Sequence, residues 1–323
     1  MDNQSSATIL ITGGTGFAGS HLIEYLVSRD PGAALQIHTT NFANIPDYLE
    51  NLLPSENFHQ VDLTDVTSTN ELIRSLQPTQ LYNLAAFSST SNSFEKSRDA
   101  VLNNMGLQLN VLEAVQQYSP HTRVLTIGSA DGYGISESEA EIPISEEHPF
   151  RPINPYAVSK IAQELLAYAY AKSRQLDIVR VRPFNHIGER QTVDFAIPSF
   201  TKQIVAIERG EEAILKVGDV QAIRDFTDVK DMVKAYCLLM EHGLSGEVYN
   251  VGSGTGRSMQ QIIDILVSLS SSQITIEKDD SKIRALDIPV VIANNEKIKR
   301  LGWQPEIPLE QSLQRILDYW RAQ

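Results

Sequence analysis

Residues 8–26 constrain this chain more than any other stretch, because a buried strand, a glycine turn and a helix follow one another without a break. The strand over 9–11 is apolar and largely β-branched, as suits a parallel strand covered on both faces. The helix repeats apolar residues at Leu22, Ile23, Leu26 and Val27. Between them Gly13, Gly16 and Gly19 stand at G-x-x-G-x-x-G spacing. Without a Cβ, Gly13 can turn tightly, Gly16 lets the backbone approach a pyrophosphate, and Gly19 lets the helix close on the strand. The helix start then offers unpaired N–H groups and a positive dipole end to an anion. A glycine triplet alone can be a mere turn; the strand and helix around it favour a dinucleotide cradle.

Strand and helix continue to alternate. Strands are predicted over 35–40, 58–61, 80–84, 123–127 and 178–181, and helices over 70–76, 98–118 and 156–172. Asn154 and Pro155 supply an N-cap and a first-turn proline for the last of these helices, and either Thr64 or Asp65 can cap the helix over 70–76. The pattern predicts an α/β fold: a Rossmann-type doubly wound parallel sheet over residues 1–183, to which 219–242 returns. A smaller α/β C-terminal substrate-binding lobe is expected over 184–323, where the regular alternation stops.

Composition narrows the function. The formal net charge of −13 offers no basic stripe for nucleic acid. The single cysteine, Cys237, excludes an intramolecular disulfide, and the seven histidines show no metal-ligand spacing, so no metal is expected. No apolar run reaches membrane-spanning length and no leader precedes the first strand, which reads as a soluble cytoplasmic protein.

The chemistry collects on loops and helix starts. Tyr156 and Lys160 lie four apart on one predicted helix, hence on one face. A tyrosine titrates at about 10 in isolation, and a nearby ammonium stabilises its phenolate. Ser129, in the loop after the fifth strand, can hydrogen-bond a carbonyl or hydroxyl while Tyr156 gives or takes its proton; Lys160 can also hold a nicotinamide ribose. At the end of the second strand, Thr39, Thr40 and Asn41 replace both the acid that suits NAD(H) and the arginine that suits NADP(H). Hydroxyls and an amide do not repel a phosphate, which leans toward NADP(H) and leaves NAD(H) open. Asp62 can meet the adenine edge, and the small residues after Leu84 leave room for the cofactor.

Taken together, Thr12-Gly13-Gly14-Thr15-Gly16-Phe17-Ala18-Gly19, Asp62-Leu63, Leu84-Ala85-Ala86, Ser129 to Gly134, Tyr156-Ala157-Val158-Ser159-Lys160, Arg182-Pro183-Phe184-Asn185-His186 and Arg224-Asp225-Phe226 resemble the extended short-chain dehydrogenase/reductases. Residues 182–188, 224–231, 246–254 and 284–289 look most like the GDP-mannose 4,6-dehydratase and GDP-4-keto-6-deoxy-D-mannose reductase type. The resemblance implies cofactor contacts at Gly13, Thr15, Gly16, Phe17, Gly19, Thr39, Asn41, Asp62, Leu63, Leu84, Ala85, Ala86, Asn104, Tyr156, Lys160 and His186. It implies substrate contacts at Ser88, Asn185, Lys202, Arg224, Arg284 and Asp287, with Arg224 pairing with a diphosphate as a bidentate fork or, alternatively, engaged in an internal ion pair. The partner is then a nucleotide-diphosphate sugar, GDP-linked by preference, and the helices over 98–118 and 156–172 would form a four-helix bundle between the two chains of a homodimer.

Dehydratases of this type carry Thr-Asp-Glu or Thr-Ser-Glu where this chain has Ser129-Ala130-Asp131. Ala130 has no acid, and Asp131 is one methylene short of the expected glutamate. Elimination needs both an acid and a base within reach; reduction of a 4-keto sugar needs only Ser129, Tyr156 and Lys160, with Asp131 beside them. The expectation is NAD(P)H-dependent reduction of GDP-4-keto-6-deoxy-D-mannose to GDP-D-rhamnose. A 4,6-dehydratase using Asp131, a 4-epimerase and a non-enzymatic dinucleotide sensor are the alternatives, the last opposed by the intact Ser129, Tyr156 and Lys160.

Overall fold

The computed structural model describes residues 7–42, 44–88, 94, 96–282 and 286–323. The chain forms two compact units, Met1–Gly132 with Asn154–Arg182 and Val233–Tyr249, and Tyr133–Ile153 with Pro183–Met232 and Asn250–Gln323. Thirteen strands are named in chain order among the described residues. They are β1 (Ile9–Thr12), β2 (Ile37–Asn41), β3 (Phe58–Gln60), β4 (Gln80–Asn83), β5 (Arg123–Ile127), β6 (Ile178–Pro183), β7 (Asn185–Ile187), β8 (Ile214–Val217), β9 (Ile223–Asp228), β10 (Val248–Val251), β11 (Gly256–Ser258), β12 (Thr275–Lys278) and β13 (Val290–Val291).

The first unit is built on a sheet in the order β10-β6-β5-β4-β1-β2-β3, and β1 to β6 pair in parallel. The order reverses between β1 and β4, the place where an open α/β sheet leaves a crevice beyond its strand ends. Every residue of β1 and of β6 is buried, as the uninterrupted apolar run of β1 requires. Around the sheet pack Phe17–Arg29, Val66–Leu76, Ser97–Tyr118 and Pro155–Arg174. Leu72 and Ile73, Leu107, Val111 and Val115, and Ala167 meet Leu10, Leu81, Val124 and Ile178 in one core.

Two element boundaries move for local reasons. Asp65 accepts from Ser68 N at 2.7 Å, so the helix expected from residue 70 starts at Val66. Residues 31–35 wind into a 3-10 turn because Asp30 accepts from Gly32 N, leaving Leu35 outside β2. Asn154 caps as expected, accepting from Ala157 N at 2.7 Å ahead of Pro155.

In the second unit β9 pairs with β7, β11 and β13, while β8 pairs with β12. Helices Ala196–Glu208, Met259–Leu269 and Leu309–Ala322 share a core centred on Phe200, Ile204, Ile262, Ile263, Leu313 and Leu317. Asp228 ties β9 to the last helix by accepting from Ser312 and Arg315.

The division differs from the expected one in two places. Residues 133–153 go with the second unit: Tyr133 donates to Asn250 Oδ1 at 2.6 Å, and Ile144 bridges Ala293. The returning segment is 233–249 rather than 219–242, since β9 is the hub of the second unit's sheet.

Candidate active site

The glycine turn after β1 has the required shape. Gly13 takes φ +68°, and a Cβ there would come within 3.0 Å of Ala85 Cα. A Cβ on Gly19 would lie 2.4 Å from the Gly13 carbonyl oxygen, so the helix is packed onto the turn. No side chain caps that helix at Gly16 and its first turn holds no acid. An anion is therefore the natural partner of its N-terminus, and these residues fit a dinucleotide pyrophosphate. Thr15 and Phe17 stand half-buried on either side of the exposed Gly16.

The end of β2 divides its labour in a way the sequence does not reveal. Thr39 is buried and donates to the Ile11 carbonyl at 2.9 Å. Thr40 accepts from Gly13 N at 2.9 Å and so holds the turn. Asn41 is buried at the strand end. Asp62 is exposed, and its carboxylate accepts from Thr64 N and Thr64 Oγ1 in a local turn. Leu63 puts its side chain into the core, and its carbonyl accepts from Thr69 and Asn110.

A buried polar chain crosses the sheet just below the strand tips. Thr12 donates to Asn83 Oδ1 at 2.7 Å, Asn83 to Gln108 Oε1 at 2.8 Å, and Gln108 to Thr126 Oγ1 at 3.4 Å. The Ala85 N–H in turn donates to Thr12 Oγ1. This chain sets the heights of the loops after β1, β4 and β5. Leu84, Ala85 and Ala86 are half-buried above it, and Ser88 is exposed.

Asn104 is fully buried with both ends of its amide engaged. It accepts from Phe87 N at 2.7 Å and donates to Phe87 O and to Ser159 Oγ, and Ser159 itself donates to the Tyr156 carbonyl. The residue thus clamps the loop after β4 to the first turn of the tyrosine helix.

Ser129, Asp131 and Tyr156 come together. The Ser129 hydroxyl accepts from Asp131 N at 3.2 Å, and Ser129 and Asp131 both act on the Tyr156 phenol. The phenol oxygen lies deep although the ring keeps some exposure. Burial and the Asp131 carboxylate push Tyr156 well above its ordinary value, and the Ser129 side chain acts in the opposite sense. The phenolate stabilisation expected from Lys160 does not dominate. Lys160, 4% exposed, donates to Gln163 Oε1 at 2.8 Å. Burial lowers it to about 7, with Glu164 acting in the opposite sense. The group at the centre is consequently a protonated phenol, which is the form a proton donor needs.

The other expected residues lie in the second unit. Asn185 opens β7 and is exposed; His186 Nδ1 lies 3.2 Å from the Phe184 carbonyl oxygen, and the His186 carbonyl accepts from Gln191 at 3.0 Å. Arg224 and Asp287 are brought together: Nη2 donates to Oδ1 at 2.8 Å, and the same oxygen accepts from Ile288 N. Asp225 is buried and accepts from Ser253 N, Ser253 Oγ, Gly254 N and Ala293 N, anchoring the strand that carries Arg224. Lys202 stands 5.6 Å from the Trp320 ring centroid and lines a cavity of about 800 Å³ with Val193, Ser199, Gln203, Lys216 and Lys282. Arg224 and Asp287 are not among its lining residues, and Arg284 falls outside the described residues. Among the described residues no group of three or more His, Cys, Asp or Glu side chains could hold a metal ion. Among the described residues no helix is long and apolar enough to cross a membrane.

Known proteins resemble this chain along nearly its whole length. The sequence model of the family described as GDP-mannose 4,6 dehydratase matches residues 10–316. A GDP-6-deoxy-D-mannose reductase from Pseudomonas aeruginosa is 34% identical over 317 residues, spanning 97% of each chain. Among solved structures, RMD from Pseudomonas aeruginosa complexed with NADPH superimposes with a TM-score of 0.84 at 32% identity, covering 98% of this chain and 99% of that one. The UDP-glucose 4-epimerase of Thermotoga maritima with UDP-glucose also gives 0.84, at 26% identity over 97% and 98% of the two chains.

Proposed function

The chain belongs to the GDP-mannose 4,6-dehydratase family, within the NAD(P)-dependent extended short-chain dehydrogenase/reductases, and from that premise we propose that it reduces GDP-4-keto-6-deoxy-D-mannose to GDP-D-rhamnose. The observation that carries this reading is the set Ser129, Asp131 and Tyr156 around a phenol held protonated, with Ala130 beside them. When bound, the nicotinamide coenzyme supplies the hydride that reaches sugar C4. Ser129 holds the C4 oxygen and Tyr156 donates the proton that turns it into a hydroxyl; solvent then restores the phenol. Lys160 holds the nicotinamide ribose, the cradle at Gly13, Gly16 and Gly19 the pyrophosphate. NADPH is the preferred form, supported by the NADPH-bound relative and by the lack of an acid at Thr39 to Asn41.

Elimination of water would need a second acid–base group at residue 130 or 131. Ala130 has none, and the Asp131 carboxylate already lies close enough to the phenol to raise it. Arg224 is assigned to the diphosphate, with Asp287 holding its guanidinium, and the cavity at Lys202 to the nucleoside end. The acting form is a cytoplasmic homodimer: Leu102, Met105 and Leu109 of Ser97–Tyr118 and Val158, Leu165 and Tyr168 of Pro155–Arg174 are exposed apolar side chains on helices that pack against each other.

Two incubations test the reaction. With the GDP-linked 4-keto sugar and stoichiometric NADPH, the 340 nm absorbance falls and a 4-hydroxy product forms; with GDP-mannose and catalytic NADP⁺, nothing changes. A 4-keto product from GDP-mannose alone would make the protein a dehydratase, and sugar interconversion without net NADPH use an epimerase.

A further inference from the structure

One buried carboxylate lies against the serine loop and acts on the lysine one helical turn before it. Glu164, 1% exposed, sits one helical turn beyond Lys160. Arg182 grips it as a fork, with Nε donating to Oε2 at 2.8 Å and Nη2 to Oε1 at 2.7 Å, and Arg180 Nη1 donates to Oε1 at 3.0 Å. Its Oε2 lies so near Gly128 that a Cβ there would be 2.8 Å away. Gly128 itself donates to the Val181 carbonyl on β6 at 2.7 Å. The residue immediately before Ser129 is therefore wedged between β6 and this carboxylate.

We propose that Glu164 is a positioning residue for the reduction, holding Gly128 and so Ser129 at the height of Tyr156, and supplying the carboxylate charge that faces Lys160. This rests on the reductase reading given above. A carboxylate in a dry interior with two guanidiniums costs more free energy than well-packed apolar residues of the same volume, so stability alone is a poor reason for it. Its contact with Gly128 and its charge one helical turn from Lys160 supply another. The titratable and charged groups on the elements around Lys160 are Tyr156 and Glu164 of its own helix, Asp131 of the loop after β5, Arg180 and Arg182 of β6, and Tyr236, which approaches Tyr156. Of these, Glu164 acts on Lys160 to keep its charge, against burial.

Glu164→Gln and Glu164→Asp separate the two effects. The readouts are kcat/KM for the 4-keto sugar against pH and the ¹³Cε titration of Lys160, its peak identified by loss in Lys160→Arg. Glu164→Gln lowers the Lys160 midpoint by about half a unit or more and moves the alkaline limb of kcat/KM with it. Glu164→Asp leaves the midpoint in place but withdraws the carboxylate from Gly128, and kcat falls at all pH values while KM for NADPH holds. Should Glu164→Gln fail to fold, the volume-conserving pair Glu164→Met with Arg182→Met is measured in its place, with a smaller downward shift expected because the Arg182 charge leaves with the carboxylate. A midpoint unmoved in the charge-removing variant, or equal losses of kcat in both single variants, overturns the proposal. A wild-type protein inactive on the 4-keto sugar whose Lys160 midpoint still responds sinks the reductase reading alone.

Discussion

Tyr156 is held as a neutral phenol by burial and by the Asp131 carboxylate, so its replacement tests a donor and not a charge. Tyr156→Phe is expected to lower kcat by about 10²- to 10⁴-fold with NADPH affinity nearly unchanged, since the cradle and Lys160 are untouched. Single-turnover absorbance and a fluorescence titration of NADPH check this; a matching loss of affinity would mean that the phenol binds the coenzyme instead. Lys160 gives a pH prediction. Its folded value is lowered to about 7 from an ordinary 10.5. Above 10.5 neither state binds the proton. Between 10.5 and 7 the unfolded chain binds it and the folded one does not, so stability falls as pH falls across that window and levels off below 7. Removing the amine in Lys160→Met should stabilise the coenzyme-free protein at pH 7, by on the order of a few kcal/mol, with the gain shrinking toward pH 10. Melting temperatures of both proteins over that range decide it, and a gain that does not vary with pH would refute the assignment.

Between elements, the decisive contacts are amides reaching over long sequence separations. Asn104→Ala leaves the Phe87 N–H and carbonyl without their partner and frees Ser159, which is expected to cost about 1–3 kcal/mol. It should also raise KM for the coenzyme, because the loop carrying Leu84 to Ala86 loses its tie to the tyrosine helix; urea unfolding and steady-state kinetics read the two effects. Unchanged KM would reduce Asn104 to a packing residue. The glycine turn, the Asn154 cap and the Tyr156–Lys160 spacing were legible because each signal is complete within one helical turn or one loop. The chain from Thr12 through Asn83 and Gln108 to Thr126 was not, since each member shows locally only as a polar residue at the end of an apolar pattern. Thr40 differs from Thr39 in function through the alternation of strand faces, and only the register with β1 decides which hydroxyl meets Gly13. Arg224 and Asp287 each stand in a motif that implies substrate contact; that they hold each other depends on β13 lying beside β9.

On the scale of the whole molecule, the exposed apolar faces of Ser97–Tyr118 and Pro155–Arg174 predict association. Leu165→Asp should convert a dimer to a monomer in sedimentation at micromolar concentration, with the circular dichroism spectrum preserved; a wild-type monomer under the same conditions removes the four-helix interface. The division of the chain was harder to foresee than the fold, because residues 133–153 leave the first unit for Asn250 and Ala293, contacts that no local pattern announces. The same division governs the order of assembly during synthesis. The strand that pairs with β6 on its outer side is β10, about seventy residues later in the chain. A ribosome-bound chain that has emerged only through residue 232 presents β6 with an open row of backbone donors and acceptors, an invitation to pairing between nascent chains. A fragment ending there should pellet on expression, and one extended through residue 251, which closes that row but still lacks the two helices that complete the second unit's core, should pellet less. Quality control in the cell would then hinge on a four-residue strand made about seventy residues after the one it covers.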